Sequence, residues 1–452
     1  MKRFLTCTDQ RDTGKKLIFM GVEDDALVQA AADNHISWFS ENAIVASGEV
    51  EKRDGLTVIF SPASDPATLG EAILAFPRVE GDKAGVAIDT ALEVARRRKV
   101  RQVSCWSVVP TQPSDLAARL VARGFSWGWE PHWMVLDLET ALPESFPTPE
   151  GLTLALDDGS AWDVAGLPYY EPSDASRLRA LAQQEPRKTY HFGAWLDGKV
   201  VAHSLLHVSG GLLNVAGIYN VGVLPEARNR GIGRAISWVA CQHARHLGCR
   251  YVLLNAATHI YKRLGFVSLG NGQTWWMFRP ALELPPLDAE TIAFTEAIGR
   301  GDLEALQTLP ITPDLDAALR CKMTPLEVAA RLGQPESARW LLAQGALPDV
   351  IPLCDLGWRD QVPAALKAHP ELANRLLGDG GWTPLHEAVL RNDLALARLI
   401  LSASPDLSLQ DLQFKATPLG WAQHFGYSEF VALIEEHQSN PPDPQKSAPR
   451  IM

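Results

Sequence analysis

The tripeptide Thr-Pro-Leu occurs three times in the last third of the chain, each time opening the same kind of run. Thr324-Pro325-Leu326-Glu327-Val328-Ala329-Ala330 is followed by Thr383-Pro384-Leu385-His386-Glu387-Ala388-Val389 and by Thr417-Pro418-Leu419-Gly420-Trp421-Ala422-Gln423. Threonine caps the free N–H groups of a helix and proline is favoured at its first position, so each copy predicts a helix start. Gly333, Asn392 and Gly426 then mark turns before a second apolar helix. The last two copies are 34 residues apart and the first two 59, which predicts a worn or shortened copy around 350–378. Such spacing means stacked helical units, each burying its apolar face against the next.

The pattern is similar to the Thr-Pro-Leu-His-x-Ala signature of the ankyrin-repeat family, most closely at 383–388. The resemblance implies an all-α solenoid over 289–438, with 289–310 as an irregular cap and about four repeats. It implies a surface for a protein partner, not chemistry; the plainer expectation is a module that only shields or dimerises the rest. The Pro-rich last residues, 439–452, predict a disordered tail.

Upstream, two Pro-containing stretches, 141–150 and 281–288, predict linkers that divide the chain into regions 1–140, 151–280 and 289–438. In the middle region, strand-like runs at 192–196, 199–207 and 212–223 are joined at Asp197-Gly198 and Gly210-Gly211. After the third run comes Arg228-Asn229-Arg230-Gly231-Ile232-Gly233-Arg234. Ile236, Val239, Ala240, Ala244 and Leu247 then fall on one face of a helix. A strand, a Gly-rich turn and a helix make a phosphate cradle, because the helix N-terminus presents free N–H groups. Gly-x-Gly here lacks the third glycine or alanine of a dinucleotide site, since Ile236 stands there, and no Gly-Lys-Ser/Thr is present.

Arg-x-x-Gly-x-Gly preceded by Val221-Gly222-Val223-Leu224-Pro225 resembles the pyrophosphate loop of the GNAT superfamily of acyl-CoA N-acyltransferases. A second segment matches in order and spacing: a strand, Tyr251 to Asn255, then Ala257-Thr258-His259-Ile260-Tyr261-Lys262-Arg263-Leu264-Gly265-Phe266, with a closing strand near 274–278. The resemblance implies a mixed α/β sheet with helices over 151–280. It also implies that acetyl-CoA is the acyl donor, with its pyrophosphate on Arg228, Asn229, Arg230, Gly231, Ile232, Gly233 and Arg234. The backbone of Val221 and Val223 would pair with the pantetheine arm, and Asn255 would contact the cofactor or an ordered water. A neutral amine would attack the thioester directly, with Tyr261, at the family's general-acid position, protonating the leaving thiolate. A phenol with pKa near ~10 is protonated at neutral pH and suits donation.

The general base stays open among His207, Tyr219, Glu171 and Tyr170, or a water chain; for His207 packing in the strand is the simpler expectation. Trp275 and Trp276 must face opposite sides of a strand, with packing the simpler role for both. Cys241 and His243 are two residues apart on one helix and point in different directions, which excludes them as a nucleophile–base pair.

Region 1–140 ends in Leu116-Ala117-Ala118-Arg119-Leu120-Val121-Ala122-Arg123-Gly124-Phe125. Aligned by Gly-Phe, 141 residues before Gly265-Phe266, this places Leu120 opposite Tyr261. Asp82, with Glu80 nearby, stands where a loop arginine would be, and carboxylates repel phosphate. The region therefore resembles a second GNAT lobe that has lost its cofactor grip and its acid. The alternative is an unrelated α/β domain.

Composition restricts the partners. The chain carries a net charge of −11, yet 151–280 holds 13 Lys and Arg against 8 Asp and Glu, which fits a small anionic ligand better than a nucleic acid. The six cysteines form no metal-type pair, no apolar run is long enough for a membrane span, and the first nine residues lack the apolar core of a secretory leader. No metal, nucleic acid or membrane partner is expected, and a reducing cytoplasm is the expected compartment. The predicted function is acetyl-CoA-dependent N-acetyl transfer to a primary amine of a small molecule or a protein, with the repeats binding a partner. The alternative is a non-catalytic acyl-CoA-binding scaffold whose repeats mediate protein–protein interaction. Removing 284–452 is expected to spare small-amine turnover and to lower protein acetylation.

Overall fold

The computed structural model describes residues 24–63, 69–157, 160–211, 213–256, 261–311, 314–378 and 380–439, apart from the Asp82 side chain. The chain divides into two compact units. Among the described residues, one is built from 24–114 and 127–284, the other from 115–126 and 285–439. The sequential limits 1–140 and 151–280 do not coincide with these units.

Up to the middle of the chain the elements are α1 (Asp24–Val45), β1 (Glu49–Arg53), β2 (Leu56–Ser61), β3 (Glu71–Ala75), α2 (Gly81–Arg97), β4 (Gln102–Val108), α3 (Leu116–Ala122), β5 (Ser126–Trp127) and β6 (His132–Asp137). Then follow β7 (Leu152–Asp157), α4 (Asp174–Ala182), β8 (Thr189–Leu196), β9 (Lys199–Gly210), β10 (Val215–Val223), α5 (Ile232–His246), β11 (Tyr251–Asn255) and β12 (Val267–Phe278). The strands form one twelve-stranded sheet whose continuous path is β1-β2-β3-β4-β12-β6-β11-β10-β9-β8-β7.

Two βαβ units recur in it. β3 and β4 are parallel and linked through α2; β10 and β11 are parallel and linked through α5. Parallel neighbours need such a crossover, and α2 and α5 each supply one apolar face to cover the strands. The halves also exchange strands. β6, from the first half, lies between β11 and β12, while β12 pairs along Gly272–Phe278 with β4 of the first half. The six residues of β6 and the last six of β12 are 141 residues apart, the offset read from the Gly-Phe pairs. Gly124 and Gly265 have φ of 95° and 94°, a left-handed conformation that glycine adopts freely, and Phe125 and Phe266 are both buried.

The apolar core follows the exchange. Leu27, Ile59, Ile73 and Phe76 of the first half pack in one cluster with Trp133, Val215 and Leu253. A larger cluster joins Met134 and Leu136 of β6 to Ile218, Ile236, Leu264 and Phe266. The stretch 141–150 is more than a linker. Leu142 is buried, Phe146 packs on the core, and Trp238 Nε1 donates to Pro143 O at 2.9 Å.

The second unit stacks helix pairs. Ala289–Arg300 with Leu303–Thr308 forms the cap, and Pro325–Arg331 with Pro335–Ala343 the first Thr-Pro-Leu pair. Val350–Asp355 and Val362–Ala368 occupy the place of the worn copy. Pro384–Leu390 with Leu394–Leu401, and Pro418–Phe425 with Ser428–Ser439, complete it. The caps work as the sequence predicts: Thr324 Oγ1 accepts from Glu327 N at 3.2 Å, and Glu327 Oε2 from Thr324 N at 2.6 Å. His386 Nδ1 accepts from Thr383 N at 3.1 Å, leaving Nε2–H to donate to Ala416 O of the next repeat at 3.0 Å. Residues 440–452 of the tail lie outside the described residues.

Helix α3 belongs to this unit. Ala118 packs so closely on Gly299 that a Cβ there would come within 2.7 Å of the alanine methyl. Arg123 Nη1 donates to Glu296 Oε1 at 2.6 Å with both side chains almost wholly enclosed, and Arg300 Nε donates to Asp115 Oδ2 at 2.6 Å. Removing 284–452 would strip α3 of this packing, so the truncation named above cannot isolate the role of the repeats. Breaking a buried ion pair from one side leaves an uncompensated charge. Glu296→Ala should therefore lower the unfolding free energy of the full chain by about 3 kcal/mol, read from urea denaturation.

Candidate active site

The site is built where β10 leaves β11. The parallel register runs only from Val215↔Tyr251 to Gly217↔Leu253. On its other side β10 stays paired with β9, but between Tyr219↔Leu205 and Gly222↔His203 it carries one residue more than its partner. The extra residue is accommodated at Asn220, whose φ is 52°. A bulge of this kind bends the strand and turns its end aside. The backbone of Val221 and Val223 thus lies beyond the last β10–β11 pair.

At the end of β10 the chain makes a short 3-10 turn, Pro225–Ala227, and enters α5 at Ile232. Gly231 is the N-cap residue with φ of 83°, a conformation a side chain disfavours. A Cβ there would meet only Arg234 Nη2, at 3.7 Å, so the space in front of the helix is open. A cleft of about 450 Å³ lies here, lined by Asn229, Arg230, Gly231 and Arg234 together with Pro147, Thr148 and Pro149. The free N–H groups of α5 and the two arginines give it a positive field suited to a phosphate. Arg228 is turned back, its Nε donating to Val223 O at 3.2 Å, and it does not line the cleft. The Ile232 side chain is buried and does not line the cleft. Asn255 is half-buried at the end of β11, with Trp133 as its strand partner.

Tyr261 begins a 3-10 turn, Tyr261–Leu264; residues 257–260 of its motif lie outside the described residues. Its ring is buried, and burial pushes its pKa up to about 12, partly offset by a hydrogen bond with Ser237. Ser237 Oγ donates its own proton to Gly233 O at 2.8 Å. Burial thus keeps the phenol in its neutral form, with a proton to donate. Tyr169, an exposed residue with φ of 63°, stands near enough to Tyr261 to oppose its ionisation further.

The base candidates are separated by their surroundings. His207 is fully buried, its Nδ1 2.9 Å from Thr189 Oγ1 and its Nε2 2.8 Å from Ser37 Oγ of α1. Burial lowers its pKa to about 4. Tyr219 donates to Asn34 Oδ1 at 2.6 Å and stacks on Trp38 at 4.9 Å, and burial raises its pKa. Tyr170 accepts from Trp162 N at 2.9 Å, while Glu171 is exposed. Trp275 is buried and Trp276 half-buried, on opposite faces of β12. Cys241 is buried, which raises its thiol pKa. Ser237 and Tyr169 escaped the sequence reading, because neither belongs to the two signature segments.

Among the described residues no group of three or more His, Cys, Asp or Glu is placed to hold a metal ion, and no helix is long and apolar enough to cross a membrane. Residues 156–266 match the acetyltransferase (GNAT) family, and residues 321–351 and 380–412 match the ankyrin repeat. The chain thus carries a GNAT acetyltransferase domain followed by ankyrin repeats. A mycothiol acetyltransferase from Paenarthrobacter aurescens is 27% identical over 282 residues, covering 51% of this chain and 83% of that protein. Among solved structures, a GCN5-related N-acetyltransferase from Kribbella flavida superposes with a TM-score of 0.43 at 24% identity, over 54% of this chain and 95% of its own. A tandem GNAT protein from the clavulanic acid biosynthesis pathway gives 0.41 at 18%, over 57% and 97%.

An acid sensitivity follows from His207. Unfolded histidine binds a proton below about pH 6.5 and this folded one only near 4, so the unfolded state holds more protons between them and stability falls as pH falls. Between pH 7 and pH 4 the wild type should lose roughly 3 kcal/mol more unfolding free energy than His207→Gln, measured by urea titration at both pH values.

Proposed function

We propose that the protein transfers the acetyl group of acetyl-CoA to a primary amine at the gap between β10 and β11. The observation that carries this is the open cradle at Gly231 standing beside the freed edge of β10. A pyrophosphate would sit on the α5 N-terminus between Asn229, Arg230, Ile232, Gly233 and Arg234, with Arg228 bracing the end of β10. The pantetheine arm would pair with Val221 and Val223 as an added strand, and Asn255 would face it from β11. The amine nitrogen attacks the thioester carbonyl, its C–S bond breaks, and the thiolate takes the proton of Tyr261. Enclosed imidazole nitrogens disfavour His207 as the base, so water leading from the cleft takes the proton of the amine.

The lobe of residues 1–140 is read as a degenerate copy of the 151–280 lobe. It keeps the βαβ unit and the exchanged strand, and carries Leu120 in the place of Tyr261. The likeness to a mycothiol acetyltransferase favours a small-molecule acceptor, and the repeats at 289–438 favour a protein partner, with the cytoplasm as the compartment.

Calorimetric titration of the full chain with acetyl-CoA should give one site per chain, abolished in Gly231→Glu, which puts a carboxylate into the cradle. Two sites would refute the silent-lobe reading, and no binding would refute the cofactor. Tyr261→Phe should leave the affinity for acetyl-CoA within about twofold while lowering kcat about a hundredfold, as expected for loss of a general acid. An unchanged kcat in a coupled thiol-release assay over an amine panel would remove Tyr261 from that role.

A further inference from the structure

Three buried side chains run in a line behind the bulge of β10. His191 Nδ1 lies 2.8 Å from Asp157 Oδ2, His191 Nε2 3.2 Å from His203 Nδ1, and His203 Nε2 2.7 Å from Pro168 O. They come from neighbouring strands. Asp157 of β7 is the register partner of His191 of β8, and His203 of β9 the partner of Gly193, two residues further along β8. All three are at least 95% enclosed. Trp162 stacks on His191 at 4.7 Å, and the Tyr170 ring stands 6.1 Å from His191 and 5.7 Å from His203.

The line ends at the proposed acetyl site. Gly222, between Val221 and Val223, has Pro168 and His203 directly against it: a Cβ at 222 would overlap the Pro168 carbonyl oxygen and come within 2.9 Å of the His203 ring. The next residue along the loop, Tyr169, lies near enough to Tyr261 to oppose its ionisation. The hydrogen bond from His203 to Pro168 therefore fixes the loop Leu167–Tyr170 against the bulge, beside the acid.

Counting hydrogens defines the state of the line. Each of three hydrogen bonds needs one proton. The Pro168 carbonyl has none, so His203 Nε2 must carry one. The other two bonds need two more, and two neutral imidazoles hold only two in all. The third hydrogen is an added proton, either on the Asp157 carboxyl or as one imidazolium beside a carboxylate. With all three bonds made, both ring nitrogens of each histidine are engaged, so the line has no lone pair with which to take a proton from the amine. Among the described residues, the Tyr170 phenol, whose oxygen accepts from Trp162 N, stands beside the line, and Asp174 lies near Tyr170 and is paired with Arg177 at 2.9 Å.

We propose that Asp157, His191 and His203 are positioning residues which share one proton and by holding it pin Pro168, and with it Tyr169, at the acceptor side of the site. The inference rests on the reading of that site as an acetyl-transfer centre. Without the shared proton three bonds would have two hydrogens, and the loop would loosen. Asp157→Asn has no proton to lose. Its amide N–H donates to His191 Nδ1, His191 Nε2–H to His203 Nδ1, and His203 Nε2–H to Pro168 O, all with neutral rings.

Two measurements on the full chain test this. In wild-type protein carrying 15N-labelled histidine, the ring nitrogens of His191 and His203, assigned through His191→Gln and His203→Gln, should titrate together as a pair releasing one proton. In Asp157→Asn both should stay in the neutral Nε2–H form across the same pH range. Two rings that stay neutral and independent in the wild type would overturn the proposal, whether or not an acceptor amine is found. In steady-state assays, the acceptor KM of the wild type should rise at least tenfold, relative to Asp157→Asn, across the pH range in which the pair loses its proton. Parallel pH curves for the two proteins would show a merely structural triad and overturn the positioning role. The spectra stand without turnover, so failure of the acetyl-transfer reading and failure of this inference remain distinct.

Discussion

Among the described residues only three pairs join β10 to β11, and the proposed acetyl transfer depends on that brevity. Parallel strands that stayed paired to their ends would satisfy each other's backbone and leave nothing for a ligand to bind. Here the extra residue at Asn220 turns β10 away while β9 continues to hold its other edge. The freed edge, the left-handed Gly231 and the N-terminus of α5 then come from one uninterrupted stretch of chain. The cradle is therefore fixed by local backbone geometry, and little has to move to form it.

That stretch needs a rigid support, and the exchange of β6 and β12 supplies it. β11 is flanked by β10 on one side and by β6 on the other, so the strand that faces the gap is anchored by the first half of the chain. Helix α1 adds a second anchor through side chains. Asn34 Nδ2 donates to His207 O at 3.1 Å, and its Oδ1 accepts from Tyr219, so the first half also braces β9 and β10 from behind. A degenerate lobe kept for this purpose would be free to lose its cofactor grip and its acid without losing its strands. Leu120, which aligns with Tyr261, is part of the core and wholly buried.

What could be read from the sequence is what depends on neighbours in the chain. A Gly-rich turn before a helix and Thr-Pro-Leu at a helix start each carry their reason within about ten residues, and the Gly231 turn, α5 and the Thr-Pro-Leu caps stand where those patterns put them. Strand exchange leaves no such mark, because β6 and β12 look like ordinary closing strands whichever sheet they join. The same holds for α3, whose buried Leu116, Ala118, Leu120 and Val121 announce an apolar face without saying what covers it. The histidine line was half legible. His203 and His207 lie four apart on one strand and share a face, but the sequence alone does not show that Asp157 and His191 stand on that face too.

The placement of α3 ties the repeats to the strand-bearing unit through the course of the chain itself. The chain leaves the first unit after Ser114, contributes twelve residues to the second, and returns at Trp127 before crossing again at Pro285. A module meant only as a detachable tether would need the last of these crossings alone. By taking α3 into its cap, the repeat unit holds the segment that, in sequence, precedes β6, the strand that anchors β11. The Arg123–Glu296 pair, formed inside that cap with little access to water, is costly to open, and so resists separation of α3 from the cap helix. The repeat unit and the exchanged sheet therefore share a covalent connection shorter than the sequence suggests, ten residues from the end of α3 to the first residue of β6.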